Sequence, residues 1–166
     1  MNAGAWGYEI GERLRELELV DYSGRLYRVP VSELTLSYRK LALREGDLNR
    51  MVIASAIFTL VYDREKQIRE RCNQYLGRRR GKQPAGVHSA GSFFKNPQGD
   101  SAGRLIEAAG LKGTRCGQAM VSPVHANFIV NTGKATAADI IGLMQQVQET
   151  VFQQFGIKLE PEVQIF

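Results

Sequence analysis

Two short runs that mix apolar and polar positions, Leu17 to Tyr22 and Arg25 to Val29, predict strands, with Ser23-Gly24 between them as a two-residue hairpin signal. Val31 to Leu34 fits a short helical turn, and Leu36 to Arg39 a loop or strand. Met51 to Tyr62 is nearly all apolar and rich in β-branched and aromatic residues, which predicts a buried strand; periodicity alone leaves a helix open. From Glu65 to Arg79 the period lengthens. Ile68, Cys72, Tyr75 and Leu76 fall on one helical face and charges fill the other. Gly77 to Pro84, with its charge run, glycines and proline, predicts a loop or domain boundary.

The second half has a different pattern. Ser89 to Pro97 is rich in glycine, serine and asparagine around Phe93-Phe94. Ser101 stands where an N-cap belongs, ahead of a helix over Ala102 to Ala109 that Gly110 closes. Ala119 to Ser122 and Asn127 to Asn131 are short strands, the second followed by a turn at Thr132-Gly133. Thr136 and Asp139 form a capping-box pair before a helix whose apolar stripe is Ile140, Met144, Val147, Val151 and Phe155. Gly156 ends it, and Ile157 to Phe166 reads as a last strand. The fold class is α+β, with no internal repeat.

Composition narrows this. The 166 residues are 43% hydrophobic and 23% charged, as in a globular chain of one ordinary or two small domains. A net charge of +5 suits anionic partners such as nucleotides or acidic metabolites. Cys72 and Cys116 are too few and too far apart for a disulfide framework or a zinc site, and a reducing cytoplasm is the simplest compartment. No apolar run reaches membrane-spanning length, and His88 and His125 lack metal-ligand spacing, so neither membrane nor metal is expected. Arg78, Arg79, Arg80 and Lys82 make a short basic run without interleaved aromatics; it fits a solvated helix end better than a nucleic-acid site.

Four ordered stretches point to one family: Asn2-Ala3-Gly4-Ala5-Trp6-Gly7, Tyr38-Arg39, Ala90-Gly91-Ser92-Phe93-Phe94-Lys95-Asn96-Pro97 and Leu159-Glu160-Pro161-Glu162-Val163. Ala102 to Gly113 and His125 to Asn131 support them. Together they resemble the UDP-N-acetylenolpyruvoylglucosamine reductases. The resemblance covers essentially the whole chain and is strongest from Gly81 onward. It implies a remnant of an FAD-binding α+β domain over 1–84 (its second lobe), a substrate-binding C-terminal α+β domain over 85–157, and a final strand, 158–166, that carries a catalytic glutamate. Small residues and an aromatic at the very start suggest that an N-terminal flavin-binding lobe is missing upstream.

The implied reaction is a two-step reduction in peptidoglycan precursor synthesis. NADPH reduces FAD, and the flavin passes a hydride to UDP-N-acetylglucosamine enolpyruvate, giving UDP-N-acetylmuramate. Such chemistry needs a cation at the substrate carboxylate and a proton donor at the neighbouring carbon. Arg39 matches the family's catalytic arginine, and its forked guanidinium suits a carboxylate. Ser92 matches the proton donor and Glu162 the second catalytic residue; Glu160 is its neighbour on the same predicted face. Tyr38, Lys82 and Asn96 match substrate-binding positions, although Tyr38 fits a half-buried aromatic as well and Lys82 a solvated cation. Asn2, Gly4, Ala5, Trp6 and Gly7 match the end of a flavin-contacting stretch, with Trp6 in place of the usual tyrosine. The family's serine shortly after the arginine is absent from Lys40-Leu41-Ala42-Leu43-Arg44. The alternative to a complete enzyme is a catalytically incomplete chain that binds UDP-sugar as a module or serves as half of a split enzyme.

Overall fold

The computed structural model describes residues 1–165. The chain forms two compact units, Met1–Arg64 and the remainder from Glu65.

The first unit is built from hairpins. Strands β1 (Gly4–Ala5) and β2 (Tyr8–Glu9) are joined by Trp6-Gly7, with φ of 56° and 83°. Positive φ at both central positions is a type I′ turn, whose twist matches that of the flanking strands. Strands β3 (Leu14–Asp21) and β4 (Leu26–Pro30) pair antiparallel. The loop between them, Tyr22 to Arg25, has four residues rather than the two expected. Gly24 N–H donates to Asp21 C=O and Asp21 N–H to Arg25 C=O. The Asp21 carboxylate also accepts from the Ser23 and Arg25 amides, which holds the longer turn.

A 3-10 turn, Val31–Glu33, leads to β5 (Leu34–Ser37), which pairs with β6 (Lys40–Leu43) through a tight turn at Tyr38-Arg39. Strand β7 (Met51–Phe58) completes a three-stranded antiparallel sheet of order β4-β3-β7. Leu14, Leu17, Leu19, Val29 and Leu34 form the core of this unit. The apolar run from Met51 is a strand, as expected, but it stops at Phe58 and is not buried. Ile53 and Ile57 are 43% and 47% exposed, and Leu60 to Tyr62 lie still further out. The pattern reports that these side chains suit a covered surface; nothing among the described residues covers them.

The second unit starts with α1 (Glu65–Lys82), which runs through the expected loop at 77–84. Glutamate, glutamine and arginine are good helix formers, and Arg69 bridges Glu65 one turn back at 2.7 Å, so Gly77 and Gly81 are tolerated inside the helix. No residue of α1 is buried, and the anticipated apolar face, including Ile68 and Leu76, stays exposed. Among the described residues no helix is long and apolar enough to cross a membrane.

Beyond α1, the strands β8 (His88–Ser89), β9 (Arg115–Cys116), β10 (Ala119–Val121) and β11 (Ile129–Asn131) form an antiparallel sheet of order β8-β11-β10-β9. Two helices pack with it, α2 (Ala102–Ala108) and α3 (Ala137–Phe155). Ser101 Oγ caps α2 by accepting from Arg104 N–H at 3.3 Å. Thr136 and Asp139 cap each other reciprocally on α3, and Gly156 closes it at φ 69°. The α3 stripe buries Leu143, Met144, Val147 and Val151, while Phe155 turns outward.

The last expected strand does not form. Ile157 to Glu162 makes one bridge, Phe94 opposite Pro161, flanked by Lys95 N–H to Glu160 C=O and Glu162 N–H to Phe93 C=O, both at 2.8 Å. Pro161 has no N–H for a ladder, and the buried Leu159 anchors the segment instead. Phe166 lies outside the described residues.

Candidate functional site

In the first unit the Tyr38-Arg39 turn is the tightest point of the β5–β6 hairpin. Ser37 pairs with Lys40, so the two residues between them carry the whole reversal, and Arg39 adopts φ 55°. A non-glycine residue in this region costs roughly 1 kcal/mol, and such cost often collects at functional positions. The half-buried Arg39 guanidinium stacks over the Tyr38 ring at 4.9 Å, and its Nη2 donates to Gly4 C=O at 3.4 Å. The turn therefore meets the β1–β2 hairpin, and the two sequence-selected groups Arg39 and Asn2 to Gly7 come together.

Space is tight at Gly4. A Cβ there would come within 3.0 Å of Tyr8 C=O and 3.4 Å of Arg39 Nη1. Asn2 is buried, and its side chain is engaged inside the unit. Its amide donates to the Glu9 carboxylate at 2.6 Å and to Ser37 C=O at 3.3 Å, and its oxygen accepts from Gly11 N–H at 2.9 Å. Trp6 is 40% exposed at the hairpin tip.

In the second unit Ser92, Asn96, Ser101, Arg104, His125 and Asn127 line a cleft of about 380 Å³. The Phe93-Phe94 pair, between Ser92 and Asn96, is anchored in the core. Both rings are buried, 5.4 Å apart and tilted, so Gly91-Ser92 on one side and Lys95-Asn96 on the other are held at the surface. The buried Asn127 fixes this segment: its amide oxygen accepts from Phe94 N–H at 2.9 Å and its nitrogen donates to Phe94 C=O at 2.8 Å. The same bridge that carries Phe94 places Glu162 opposite Phe93, one residue from Ser92.

Asn96 Oδ1 accepts from Ala102 N–H at 3.1 Å. Glu160 forms an ion pair with Lys95. Lys82 is the last residue of α1, an exposed cation at the negative end of the helix dipole.

The cleft contains residues that sequence reasoning did not select. His125 stands half-buried beside Ser92, and burial, helped by the Lys112 ammonium, pushes its imidazole below the ordinary 6.5. Arg104 pairs with Asp100, whose carboxyl the hydrogen bond from that guanidinium holds at about 2. Glu107 pairs with Lys112 at 2.6 Å. A lone histidine in sequence carries no signal of this; His125 stood out only as the first residue of a supporting stretch of the resemblance.

The first unit does not by itself fit a whole flavin dinucleotide. The β1–β2 hairpin offers two exposed aromatics, Trp6 and Tyr8, and a close backbone at Gly4. The Asn2 amide is engaged internally, and no helix among the described residues of this unit presents an N-terminus to a diphosphate.

The second unit is an α+β unit whose Gly-Ser-Phe-Phe segment is pinned by Asn127 and bridged to the tail at Pro161. The family model described as the C-terminal domain of UDP-N-acetylenolpyruvoylglucosamine reductase matches residues 83–166, and the chain belongs to this family. It is 43% identical to the UDP-N-acetylenolpyruvoylglucosamine reductase of Caldicellulosiruptor saccharolyticus, over 99% of this chain and 53% of that relative. It is equally similar to reductase 2 of Symbiobacterium thermophilum, at 43% over 100% and 53% of the two lengths. The crystal structure of the Thermus caldophilus reductase superposes with a TM-score of 0.85 at 37% identity, covering 100% of this chain and 57% of that one. The chain thus spans about half the length of the curated relatives it matches.

Proposed function

We propose that these residues handle the sugar substrate of a flavin-dependent, NADPH-fed reduction of UDP-N-acetylglucosamine enolpyruvate to UDP-N-acetylmuramate in the cytoplasm. The observation that carries this reading is the Phe94–Pro161 bridge, which sets the Glu162 segment beside the Phe93-Phe94 segment that follows Ser92, a residue of the cleft. Arg39 supplies a guanidinium for the substrate carboxylate, where charge develops as the double bond is reduced. Ser92 delivers the proton to the neighbouring carbon, and Glu162 orients the group that receives it. Asn96, Tyr38 and Lys82 hold the UDP-sugar. A bound flavin would supply the hydride; Asn2 to Gly7 are the residues of this chain that would touch it, and the rest of the dinucleotide would need contacts from other residues, in the same polypeptide or in a separate one.

The test is NADPH oxidation with FAD and the enolpyruvyl substrate. The chain alone is expected to be inactive. Mixed with a polypeptide covering the other half of the Caldicellulosiruptor relative, it should turn over, and Ser92→Ala should lower that rate by at least ~100-fold. Full activity of the Ser92→Ala mixture would overturn the assignment. A second reading, a UDP-sugar-binding module without catalysis, is favoured by the incomplete flavin fit; it predicts nucleotide-sugar binding with no turnover in any mixture.

A further inference from the structure

We propose that the Nε2–H of His125 donates a hydrogen bond to a hydroxyl or carbonyl oxygen of the nucleotide sugar in the Ser92 cleft. The inference rests on the UDP-sugar reading above and deepens it by adding a ligand-binding residue.

The imidazole is held in one orientation from several sides. Its Nδ1 accepts the Asn127 N–H at 3.1 Å, so the proton of the neutral ring sits on Nε2. The ring packs edge-on against Phe128, with centroids 5.0 Å apart. The backbone of α2 closes on another side: a Cβ on Gly103 would lie 3.1 Å from His125 Cε1. The loop beneath is fixed by the Ser122 hydroxyl, which is buried and accepts from the Val124 and His125 amides at 3.2 and 3.3 Å.

With Nδ1 committed, the ring has one donor left. No hydrogen bond from Nε2 to another described residue is present, and the ring lines a cleft shared with Ser92 and Asn96. A half-buried donor without an internal acceptor is matched by water or by a ligand. The ligand class follows from charge. The imidazole is kept neutral by burial and by Lys112, and the neighbouring Arg104 is already bridged to Asp100. A neutral donor beside a compensated cation suits an uncharged oxygen of a sugar or amide better than a diphosphate.

The test uses the full chain labelled with ¹⁵N at histidine, titrated with UDP-N-acetylglucosamine, with calorimetry in parallel. The Nε2–H tautomer is expected, with its Nε2 resonance shifting as ligand binds. His125→Ala should raise Kd about tenfold, and His125→Gln, whose amide reaches the same donor position, should stay within about threefold. Both variants lose the ring packing, so a purely structural role would move their melting temperatures and affinities together. Binding with a silent His125 resonance, or equal affinity of His125→Ala and the native chain, overturns the inference while the reading above stands. Absence of any binding by the native chain overturns both.

Discussion

Asn127 joins two segments that lie 33 residues apart by satisfying both backbone groups of Phe94. Asn127→Ala leaves a buried N–H and C=O without partners, each costing about 1–3 kcal/mol, so chemical denaturation should show a loss of roughly 2–4 kcal/mol. Arg39 behaves in the opposite way. Glycine relieves a left-handed backbone worth about 1 kcal/mol but loses the stacking on Tyr38 and the bond to Gly4 C=O, so Arg39→Gly should destabilise by no more than about 1–2 kcal/mol. The same variant should abolish turnover in the reconstituted mixture. A strongly destabilised Arg39→Gly, measured by urea unfolding, would show that the side chain serves the fold instead. Arg39, Ser92 and Glu162 could be proposed from the sequence because their motifs occur together in order; the Gly-Ser-Phe-Phe-Lys-Asn-Pro run is specific, whereas Tyr-Arg and Glu-Pro-Glu are weak alone. The roles of Asn127 and His125 could not be, because each depends on a partner brought near by the fold: Phe94 for one, the cleft beside Ser92 for the other.

Among the elements, α3 was legible in its caps and most of its stripe, although Leu143 is buried in place of Phe155. Its caps and stripe are local features, read within single turns of helix. The tail at 157–162 and α1 were not. The tail looked like a strand because Ile157 and Leu159 alternate with charged residues, yet Pro161 permits only one bridge. Helix α1 was cut short on paper by its glycines, which local propensity outweighs. Two predictions belong at this scale. Gly117 adopts φ 53°, and a Cβ there would overlap the Asp139 carboxylate in the α3 cap; Gly117→Ala should cost about 1–3 kcal/mol in thermal or urea unfolding. In the β3–β4 turn, bonds from Ser23 and Arg25 hold the Asp21 carboxyl at about 2, below its usual 3.8. The folded value is depressed, so the contribution is complete above pH 3.8 and is lost as pH falls toward 2. Melting temperature should drop through that window, and Asp21→Asn should show a shallower drop.

At the scale of the molecule, the two units carry separate apolar clusters, one around Leu17 and Leu19 and the other around Leu105, Val147 and Phe94. The sequence divides the chain at 84/85, where composition changes, whereas the compact units divide at 64/65 because α1 runs unbroken through the charged stretch. Both clusters descend from apolar patterns visible in the sequence. What the pattern could not tell is that the run from Met51 would meet no cover: exposure depends on neighbours, and the chain spans about half of its relatives' length.

The central claim is that this chain holds a nucleotide sugar at the cleft shared by Ser92, Asn96 and His125. Calorimetric titration of the native chain with UDP-N-acetylglucosamine tests it most directly. The account predicts one-to-one binding that weakens about tenfold in Asn96→Ala, whose side chain both lines the cleft and caps α2. A titration without heat, in a chain that circular dichroism shows to be folded, would contradict it.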